Sequence, residues 1–247
     1  MTYTLITGAT GGIGRALAFE FAKNGHSLIL LGRNANRLSE LIDELNEENN
    51  ENHYISYVVD LMDIDHLASI LEEIGETYSI EVVINNAGIG IFEDIQQLTT
   101  KHIDNQLVLN VKVPMLMTTK LLQNVRQNKG SFIYMCSILS DFPNQKASVY
   151  VATKHALLGF ANTIRLEYLD LHVLTVHPST VRTSFFGGEV KGRFILEPMT
   201  VSRKVYRSYR KRKRRLNIPK TIGILRILYT FFPRIIDTIN RKYFTNK

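Results

Sequence analysis

The stretch TGATGGIG, residues 7–14, joins a short apolar run to an amphipathic segment near the start of the chain. Its glycines permit a tight turn and a close approach of backbone to a pyrophosphate, and a helix that follows would present free N–H groups and its positive dipole end to the phosphates. A glycine-rich turn alone is weak evidence, but a strand-to-helix junction is the context that dinucleotide binding requires. We predict a cofactor turn made of Gly8, Thr10, Gly12, Ile13 and Gly14; the alternative is a tight turn without ligand.

Outward from this turn, short apolar runs alternate with longer amphipathic segments as far as residue 177. Runs rich in Val and Ile and bounded by Gly, Asn or Asp are typical of buried parallel strands. We predict strands over residues 2–7, 27–32, 54–60, 80–85, 131–137 and 173–177, and helices over residues 12–24, 34–49, 64–77, 101–127 and 149–169. The alternation predicts an α/β fold, a Rossmann-type doubly wound parallel sheet of six to seven strands in a single domain over residues 1–200.

The composition excludes several classes of protein. A chain of 247 residues is long enough to bury a sizeable core, and its single cysteine, Cys136, excludes an intramolecular disulfide. The first residues lack the features of a secretory signal, so we expect a cytoplasmic protein. The longest apolar stretch, residues 222–232, contains Arg226 and is shorter than the roughly 20 residues that cross a bilayer. The histidines show no metal-ligand spacing, and we predict no metal site.

The second apolar run, SLILLGRN over residues 27–34, bears on the choice of cofactor. A site selective for NAD usually has an acid here for the ribose 2′-hydroxyl, whereas an arginine accommodates the 2′-phosphate of NADP. No acid occurs between Ser27 and Ser39, and Arg33 stands just past the strand with Arg37 one helical turn further on. Because a guanidinium binds phosphate bidentately, we predict NADP (NADPH), with NAD less favoured. The alternative is that both arginines are solvated residues at a helix start.

Tyr150 and Lys154 lie one helical turn apart, so their side chains share a helix face. The phenol of a solvated tyrosine has a pKa of about 10, too high for acid–base work near neutrality, and a nearby ammonium favours the phenolate. Ser137 closes the fifth predicted strand, which places it at the carboxyl edge where ligands bind in such sheets. A Tyr/Lys pair with this spacing occurs by chance on many helices, so the pair indicates an active site only together with the residues around it.

These features together resemble the motifs of the short-chain dehydrogenase/reductase family. TGATGGIG resembles the TGxxxGxG turn of that family, NNAG at residues 85–88 resembles the motif that ends its fourth strand, and Asp60 resembles its adenine-contacting aspartate. The resemblance runs from residue 2 to about residue 185. The family's catalytic tetrad is matched in order and spacing by Asn110, Ser137, Tyr150 and Lys154.

The resemblance implies a catalytic role for each of those four residues. Tyr150 would protonate the carbonyl oxygen of a substrate during reduction, and Ser137 would hydrogen-bond the same oxygen. Lys154 would bind the nicotinamide ribose and lower the pKa of Tyr150. Asn110 would hold a water that links Lys154 to solvent, and the hydride chemistry itself would belong to the cofactor.

The resemblance also implies contacts to the cofactor. Asn86, Ala87 and Gly88 would line its ribose side, and Thr183 would contact the carboxamide of the nicotinamide. One departure concerns the sixth strand, which the family follows with Pro-Gly and this chain with Pro178-Ser179. Because serine resists positive φ, the geometry of the loop after this strand is open.

The charge is unevenly distributed between the two parts of the chain. Residues 201–247 contain fifteen Lys or Arg and one acid, Asp237, for a net charge of +14, whereas residues 1–200 carry about −7. Eight basic residues and no acid occur in KVYRSYRKRKRR, residues 204–215. We predict a helix over residues 200–214, a short strand over residues 216–218, and a helical segment over residues 221–244 that Pro233 divides.

The last of these segments has an apolar face at helical spacing, with basic residues among its members: Ile222, Leu225, Leu228, Tyr229, Phe232, Ile235, Ile236 and Ile239. A basic amphipathic extension over residues 201–247 suits an anionic membrane surface. The same face suits packing on the domain or on a second subunit, and nucleic acid is a less favoured partner.

We predict an NADP(H)-dependent oxidoreductase that interconverts a carbonyl and an alcohol on a small molecule. An apolar or lipid-like substrate is suggested by the tail and by Phe185 and Phe186, which could equally be packing residues. A homo-oligomer is expected, cytoplasmic or peripheral on the inner face of a membrane. The competing hypotheses are a nucleotide-binding sensor or scaffold that has lost catalysis, and a membrane-recruited binding module in which turnover is incidental.

Overall fold

A parallel sheet forms the centre of the molecule. The computed structural model describes residues 1–183, 185, 195–234 and 237–238. Within these residues the sheet has seven strands, in the spatial order β3-β2-β1-β4-β5-β6-β7, and every neighbouring pair is parallel. The strands are β1 (Tyr3–Thr7), β2 (Ser27–Gly32), β3 (Tyr54–Val58), β4 (Ile80–Asn85), β5 (Ser131–Met135), β6 (His172–Pro178) and β7 (Arg215–Ile218). The predicted doubly wound α/β fold is confirmed.

Helices cover both faces of this sheet. They are α1 (Gly12–Lys23), α2 (Ala35–Glu48), α3 (Ile64–Thr77), α4 (Thr100–Leu107), α5 (Val113–Gln127), α6 (Ser148–Glu167), α7 (Pro198–Arg210) and α8 (Ile222–Phe231). Because neighbouring residues of a strand point to opposite faces, Leu5 packs into the layer beside α3 and α5, while Ile6 packs into the layer beside α1 and α7. Burial on both faces explains why the strands are continuous apolar runs rather than alternating ones.

The direction of winding reverses between β1 and β4. The chain proceeds from β1 outward to β2 and β3, and then returns to place β4 on the other side of β1. At such a switch point the loops after the two strands turn away from each other and leave a crevice at the carboxyl edge of the sheet. The glycine-rich turn follows β1, so it lies at this crevice.

The single helix predicted over residues 101–127 is wrong in one respect. The chain forms α4, then a π-helical turn over Val108–Lys112, and then α5. A π turn inserts a residue into the helical repeat and is commonly associated with functional sites. This one contains Asn110, whose side chain it directs into the molecule, where it is buried. Hydrophobic spacing does not reveal such a turn, because helical periodicity continues on both sides.

The first part of the basic extension is integral to the sheet domain. Helix α7 begins with Pro198 in its first turn and buries Val201, Val205, Tyr206 and Tyr209 in the core against α1. Strand β7 pairs with β6 along its whole length. Helix α7 ends at Arg210 rather than at residue 214, where we predicted its end, because the chain turns there with Arg212 at φ 47°.

The two halves of the tail lie at opposite edges of the sheet. The backbone of Lys213 and Arg214 hydrogen-bonds His172 and Thr175, near the start of β6, so the run of basic residues lies at the amino edge. Helix α8 follows the end of β7 and therefore lies at the carboxyl edge, beside the crevice. No helix of the described ranges is long and apolar enough to cross a bilayer. Of the predicted apolar face, Ile235, Ile236 and Ile239 fall outside the described residues.

Candidate active site

The turn after β1 brings backbone to the surface of the crevice. Gly8 has φ +63°, a conformation that residues with a side chain rarely adopt. A Cβ on Gly14 would lie 2.1 Å from the carbonyl oxygen of Gly8, so no other residue fits there. The cap residue of α1 is Gly11, which has no side chain that could hydrogen-bond the N–H groups of the first turn of the helix. The turn is thus a cradle of backbone groups at a helix N-terminus, which fits the pyrophosphate of a dinucleotide.

Asn86 locks this cradle to the end of β4. Its side-chain Nδ2 donates to the carbonyl oxygens of Thr7 at 2.9 Å and of Gly8 at 3.3 Å. The backbone N–H groups of Asn86 and Ala87 both donate to Thr7 Oγ1, at 3.0 Å each. Asn86 therefore fixes the turn as well as lining the crevice.

The predicted cofactor residues surround a single cavity of about 1030 Å³, and all of the following line it: Gly8, Thr10, Gly12, Ile13, Gly14, Arg33, Asp60, Asn86, Ala87, Gly88, Tyr150, Lys154 and Thr183. At one end Arg33 and Arg37 are exposed beside the end of β2, and the Asp60 carboxylate accepts the Met62 N–H at 3.0 Å. Thr183 crosses over the glycine turn, since a Cβ on Gly12 would lie 2.6 Å from Thr183 Cγ2. The distribution of groups fits a dinucleotide with its adenosine end at Arg33.

Three polar side chains, Tyr150, Lys154 and Ser137, line this cavity, and Asn110 is buried beside them next to Gly88. Tyr150, Lys154, Ser137 and Asn110 are exposed by only 7%, 4%, 8% and 0%. Lys154 Nζ lies 5.6 Å from the centre of the Tyr150 ring and donates to the carbonyl oxygen of Met135 at 2.9 Å. Tyr150 hydrogen-bonds Ser137. The structure therefore brings the predicted tetrad together at the carboxyl edge of β5.

Asn110 connects the loop after β4 to helix α6. Its Nδ2 donates to the Ile89 carbonyl at 2.8 Å and to Thr153 Oγ1 at 3.1 Å, and its Oδ1 accepts the Ile89 N–H at 2.9 Å. Gly88 packs closely against the Asn110 side chain: a Cβ on Gly88 would lie 3.1 Å from Asn110 Oδ1. The side chain of Asn110 thus holds the loop after β4 in register with helix α6.

The pKa values of Tyr150 and Lys154 differ from the sequence-based expectation. Burial raises the pKa of Tyr150 above its ordinary value, and the hydrogen bond with Ser137 acts in the opposite direction. Burial lowers the pKa of Lys154 to about 8, against the opposing effect of Cys136. The expected lowering of the Tyr150 pKa by Lys154 is therefore not observed: the lysine is desolvated and its Nζ donates to the Met135 carbonyl. Tyr150 is a protonated phenol at neutral pH.

The wall opposite the cradle is largely apolar. The rings of Phe92 and Phe185 lie 5.3 Å and 5.8 Å from that of Tyr150, measured between centres. The sequence pointed to Phe185 but missed Phe92, because nothing in the spacing of residues joins it to Tyr150. Phe186 lies outside the described residues. Further apolar lining comes from two distant segments: Leu139, Phe142 and Pro143 in the first, and Ile222 and Leu225 in the second.

A buried polar cluster supports the loop that begins at Ser137. Asp141, nearly buried, forms an ion pair with Arg215 of β7, and Arg215 Nη2 also lies 3.1 Å from His177 Nδ1. The same His177 nitrogen lies 3.0 Å from the Ser137 carbonyl oxygen. Burial, and next the charge of Arg215, lower the pKa of His177 to about 3, so the imidazole is neutral. This cluster ties the last strand of the sheet to the loop that begins at Ser137.

Two other residues of the site have simple interpretations. Burial raises the pKa of the Cys136 thiol to about 11, so it remains a protonated, buried residue between the end of β5 and Ser137. Ser179, which stands where the family has glycine, is not among the described residues with positive φ, and its N–H donates to the Ile218 carbonyl at 2.8 Å. Serine is therefore compatible with this loop. Within the described part of the chain, no three potential ligands are grouped as a metal site.

Comparison with known proteins agrees with this geometry. The family model described as short chain dehydrogenase matches residues 2–192. The chain therefore belongs to the short-chain dehydrogenase family. It is 31% identical over 184 residues to the 11-beta-hydroxysteroid dehydrogenase-like 2 protein of Arabidopsis thaliana, and the match covers 72% of this chain and 59% of that protein. The chain thus spans less than two thirds of the length of this plant relative.

Two solved structures show the same fold. A short-chain dehydrogenase from Sphingobium yanoikuyae in complex with NADPH is 24% identical, with a TM-score of 0.86 and 96% of each chain covered. A short-chain dehydrogenase/reductase from Burkholderia phymatum in complex with NAD is 16% identical, with a TM-score of 0.85, covering 95% of this chain and 94% of that one. The common architecture is therefore found with either nicotinamide cofactor.

Proposed function

We propose that this protein is an NADP(H)-dependent oxidoreductase that interconverts a carbonyl and an alcohol. The observation that carries the proposal is the convergence of Ser137, Tyr150 and Lys154 in the cavity that also contains the glycine cradle, with Asn110 buried next to Gly88 of the same cavity. A nicotinamide cofactor, when bound, supplies the hydride. The protein binds and orients both reactants and moves the proton.

Each polar group has a role that its surroundings support. The phenol of Tyr150, protonated at neutral pH, donates its proton to the substrate oxygen, and Ser137 orients that oxygen through a second hydrogen bond. Lys154, fixed by the Met135 carbonyl, is placed to hold the ribose and to return a proton toward Tyr150. Asn110 positions the Gly88 segment against Lys154, and a water on Asn110 would complete the path to solvent.

The preference for NADP is proposed from the adenosine end of the cavity. Arg33 and Arg37 line it at the end of β2, where an acid would favour NAD, and neither arginine has a partner among the ion pairs of the described residues. Both are exposed, and hence available to a 2′-phosphate. The NADPH bound to the Sphingobium protein supports this choice, whereas the NAD bound to the Burkholderia protein shows that the fold does not impose it.

An apolar substrate is proposed from the opposite wall. Phe92 and Phe185 lie next to Tyr150, and Phe142 lines the same cavity. Burial of a hydrocarbon surface against these rings would stabilise the complex by about 25 cal/mol for each Å² buried. The name of the plant relative, an 11-beta-hydroxysteroid dehydrogenase-like protein, is consistent with a bulky apolar substrate. A small ketone would leave most of this wall uncovered, so affinity should rise with the size of the carbonyl compound.

The test is a screen of NADPH oxidation over aldehydes and ketones of increasing chain length. We expect turnover whose kcat/KM rises with apolar size, and slower turnover with NADH. Binding of NADPH without consumption by any carbonyl, and of NADP+ without reduction by any alcohol, would overturn the proposal. That result would favour the alternative of a nucleotide-binding sensor or scaffold.

Partners and location follow from the same proposal. The resemblance to the family favours a homo-oligomer, which sedimentation velocity tests directly. A cytoplasmic enzyme that is peripheral on a membrane is favoured by one feature, the exposed apolar face of α8. Fractionation of cells that express the tagged full chain would separate a cytosolic from a membrane-bound population.

A further inference from the structure

Helix α8 turns a set of large apolar side chains away from the protein. Ile224, Ile227 and Phe231 follow one another at helical spacing and are exposed by 63%, 56% and 72%. Leu228 and Phe232 beside them are exposed by 42% and 55%. Single exposed apolar residues are common, but five on one ten-residue helix and its end form a contiguous patch, which marks an interaction surface.

The other side of the same helix closes the cavity. Ile222 is buried and lines the cavity, and the ring of Tyr229 lies 5.5 Å from that of Phe142, another lining residue. Leu225 both lines the cavity and remains 42% exposed. The outward apolar patch and the mouth of the cavity are therefore continuous through Leu225.

The charges around α8 identify the partner as an anionic surface. Lys220, Arg226 and Arg234 are exposed along it. The one acid of residues 219–238, Asp237, is half-buried and hydrogen-bonded to Tyr229. Cations that flank an apolar helix face are the pattern of a helix that lies in the headgroup region of an anionic bilayer. The basic run of residues 211–214 lies at the opposite edge of the sheet and cannot contact the same flat surface.

We propose that α8 docks this enzyme on an anionic lipid bilayer, and that its substrate is a carbonyl compound dissolved in that bilayer, which enters the cavity past Leu225. The substrate part rests on the proposed oxidoreductase function, whereas the docking part does not. Ile224, Ile227 and Phe231 lie among the acyl chains, and the cations contact the headgroups. The mouth of the cavity then opens directly against the lipid, so a long-chain substrate does not need to cross water.

The experiment compares two variants of the full chain. The first, Ile224→Ser/Ile227→Ser/Phe231→Ser, replaces the three most exposed side chains of the outward patch without touching residues that line the cavity. The matched control, Lys211→Gln/Arg212→Gln/Lys213→Gln, removes three charges at the amino edge. Binding is measured by co-sedimentation with phosphatidylcholine vesicles that contain or lack phosphatidylserine. Turnover with NADPH is measured on a short water-soluble aldehyde and on a long-chain ketone incorporated in the vesicles.

We expect the parent and the amino-edge control to bind vesicles with phosphatidylserine, and the patch variant to lose about a hundredfold in affinity. For the patch variant, kcat/KM should fall by a similar factor on the vesicle-borne ketone and remain unchanged on the soluble aldehyde. This split distinguishes docking from damage to the fold, which would lower both activities.

Three results would overturn the proposal. The patch variant could bind vesicles like the parent; the amino-edge control could lose binding while the patch variant keeps it; or the parent could ignore phosphatidylserine vesicles and form a dimer that the patch variant does not form. The last result would assign the patch to a second copy of this chain. If vesicle binding follows the expected pattern but no carbonyl is reduced, the docking surface stands and the proposed function fails.

Discussion

The two walls of the cavity are built in different ways. The cofactor wall consists of the ends of β1, β2 and β4 with the turns that follow them, and its critical groups are backbone atoms held by short contacts, such as the Asn86 clamp on Thr7 and Gly8. The substrate wall consists of side chains from segments far apart in the sequence, including Phe92, Phe142 and α8. A side chain is excluded at Gly14 and strained at Gly8 of the first wall, whereas the second wall is made of side chains that set the size and polarity of the cavity.

Tyr150 faces both walls, so a substitution there distinguishes the roles of the two walls most clearly. Tyr150→Phe removes the proton donor and keeps the ring that packs between Phe92 and Phe185, so we expect kcat to fall about 10²–10⁴-fold. The affinity for NADPH, measured by calorimetry, should remain near that of the parent. Tyr57→Phe, which loses a hydroxyl hydrogen-bonded to Glu73 on the protein surface, is the matched control. More than a tenth of the parent kcat in Tyr150→Phe would exclude Tyr150 as the donor.

A single methyl group added at Gly14 should disrupt the cofactor wall. In Gly14→Ala the Cβ would meet the Gly8 carbonyl at 2.1 Å, so the turn must move, and a shift of about 1 Å costs on the order of a hundredfold in kcat/KM. The control is Gly159→Ala on the exposed face of α6, where a Cβ meets nothing within 4 Å. That change should instead stabilise the protein by up to about 1 kcal/mol, seen as a higher Tm. Parent-like NADPH binding by Gly14→Ala would show that the cradle is not used.

The outer end of the cofactor wall should set selectivity rather than rate. A charged hydrogen bond to a 2′-phosphate contributes about 1.5–3 kcal/mol, so the parent should bind NADPH about tenfold or more tightly than NADH. Arg33→Asp should reverse the order, and Arg203→Asp, which changes the same charge outside the cavity, should not. Equal calorimetric affinities of the parent for the two cofactors would refute the proposed role of Arg33.

The smallest effect is expected from pH. Burial lowers the pKa of Lys154 to about 8, so its positive charge is present below that pH and is lost as the pH rises through it. If the charged form holds the ribose, NADPH affinity should decline by up to about tenfold between pH 7 and pH 9. The decline should disappear in Lys154→Gln, which binds more weakly at every pH. An affinity that is flat over this range in the parent would remove the charge of Lys154 from cofactor binding.

The sequence predicted the glycine-rich turn between β1 and α1 well because that turn is local. Residues 7–14 form a strand end, a turn and a helix start within eight positions, and the glycines there report a backbone requirement. The substrate wall escaped prediction, since Phe92, Phe142 and Ile222 meet only after the whole sheet is assembled. The π turn at Asn110 escaped it too, because α4 and α5 continue the same helical periodicity on both sides. The raised pKa of Tyr150 depends on burial, which residue spacing does not report.

The ion pair between Asp141 and Arg215 has a consequence for how the protein is made. A ribosome releases Ser137, Tyr150 and Lys154 well before β7, yet the loop that begins at Ser137 is tied through Asp141 to that last strand. A nascent chain that stops short of Arg215 can already contain the whole cofactor wall and still lack this support. The order of synthesis therefore delays the Asp141–Arg215 ion pair, and the support that it gives to the loop after Ser137, until the last strand of the sheet has been made.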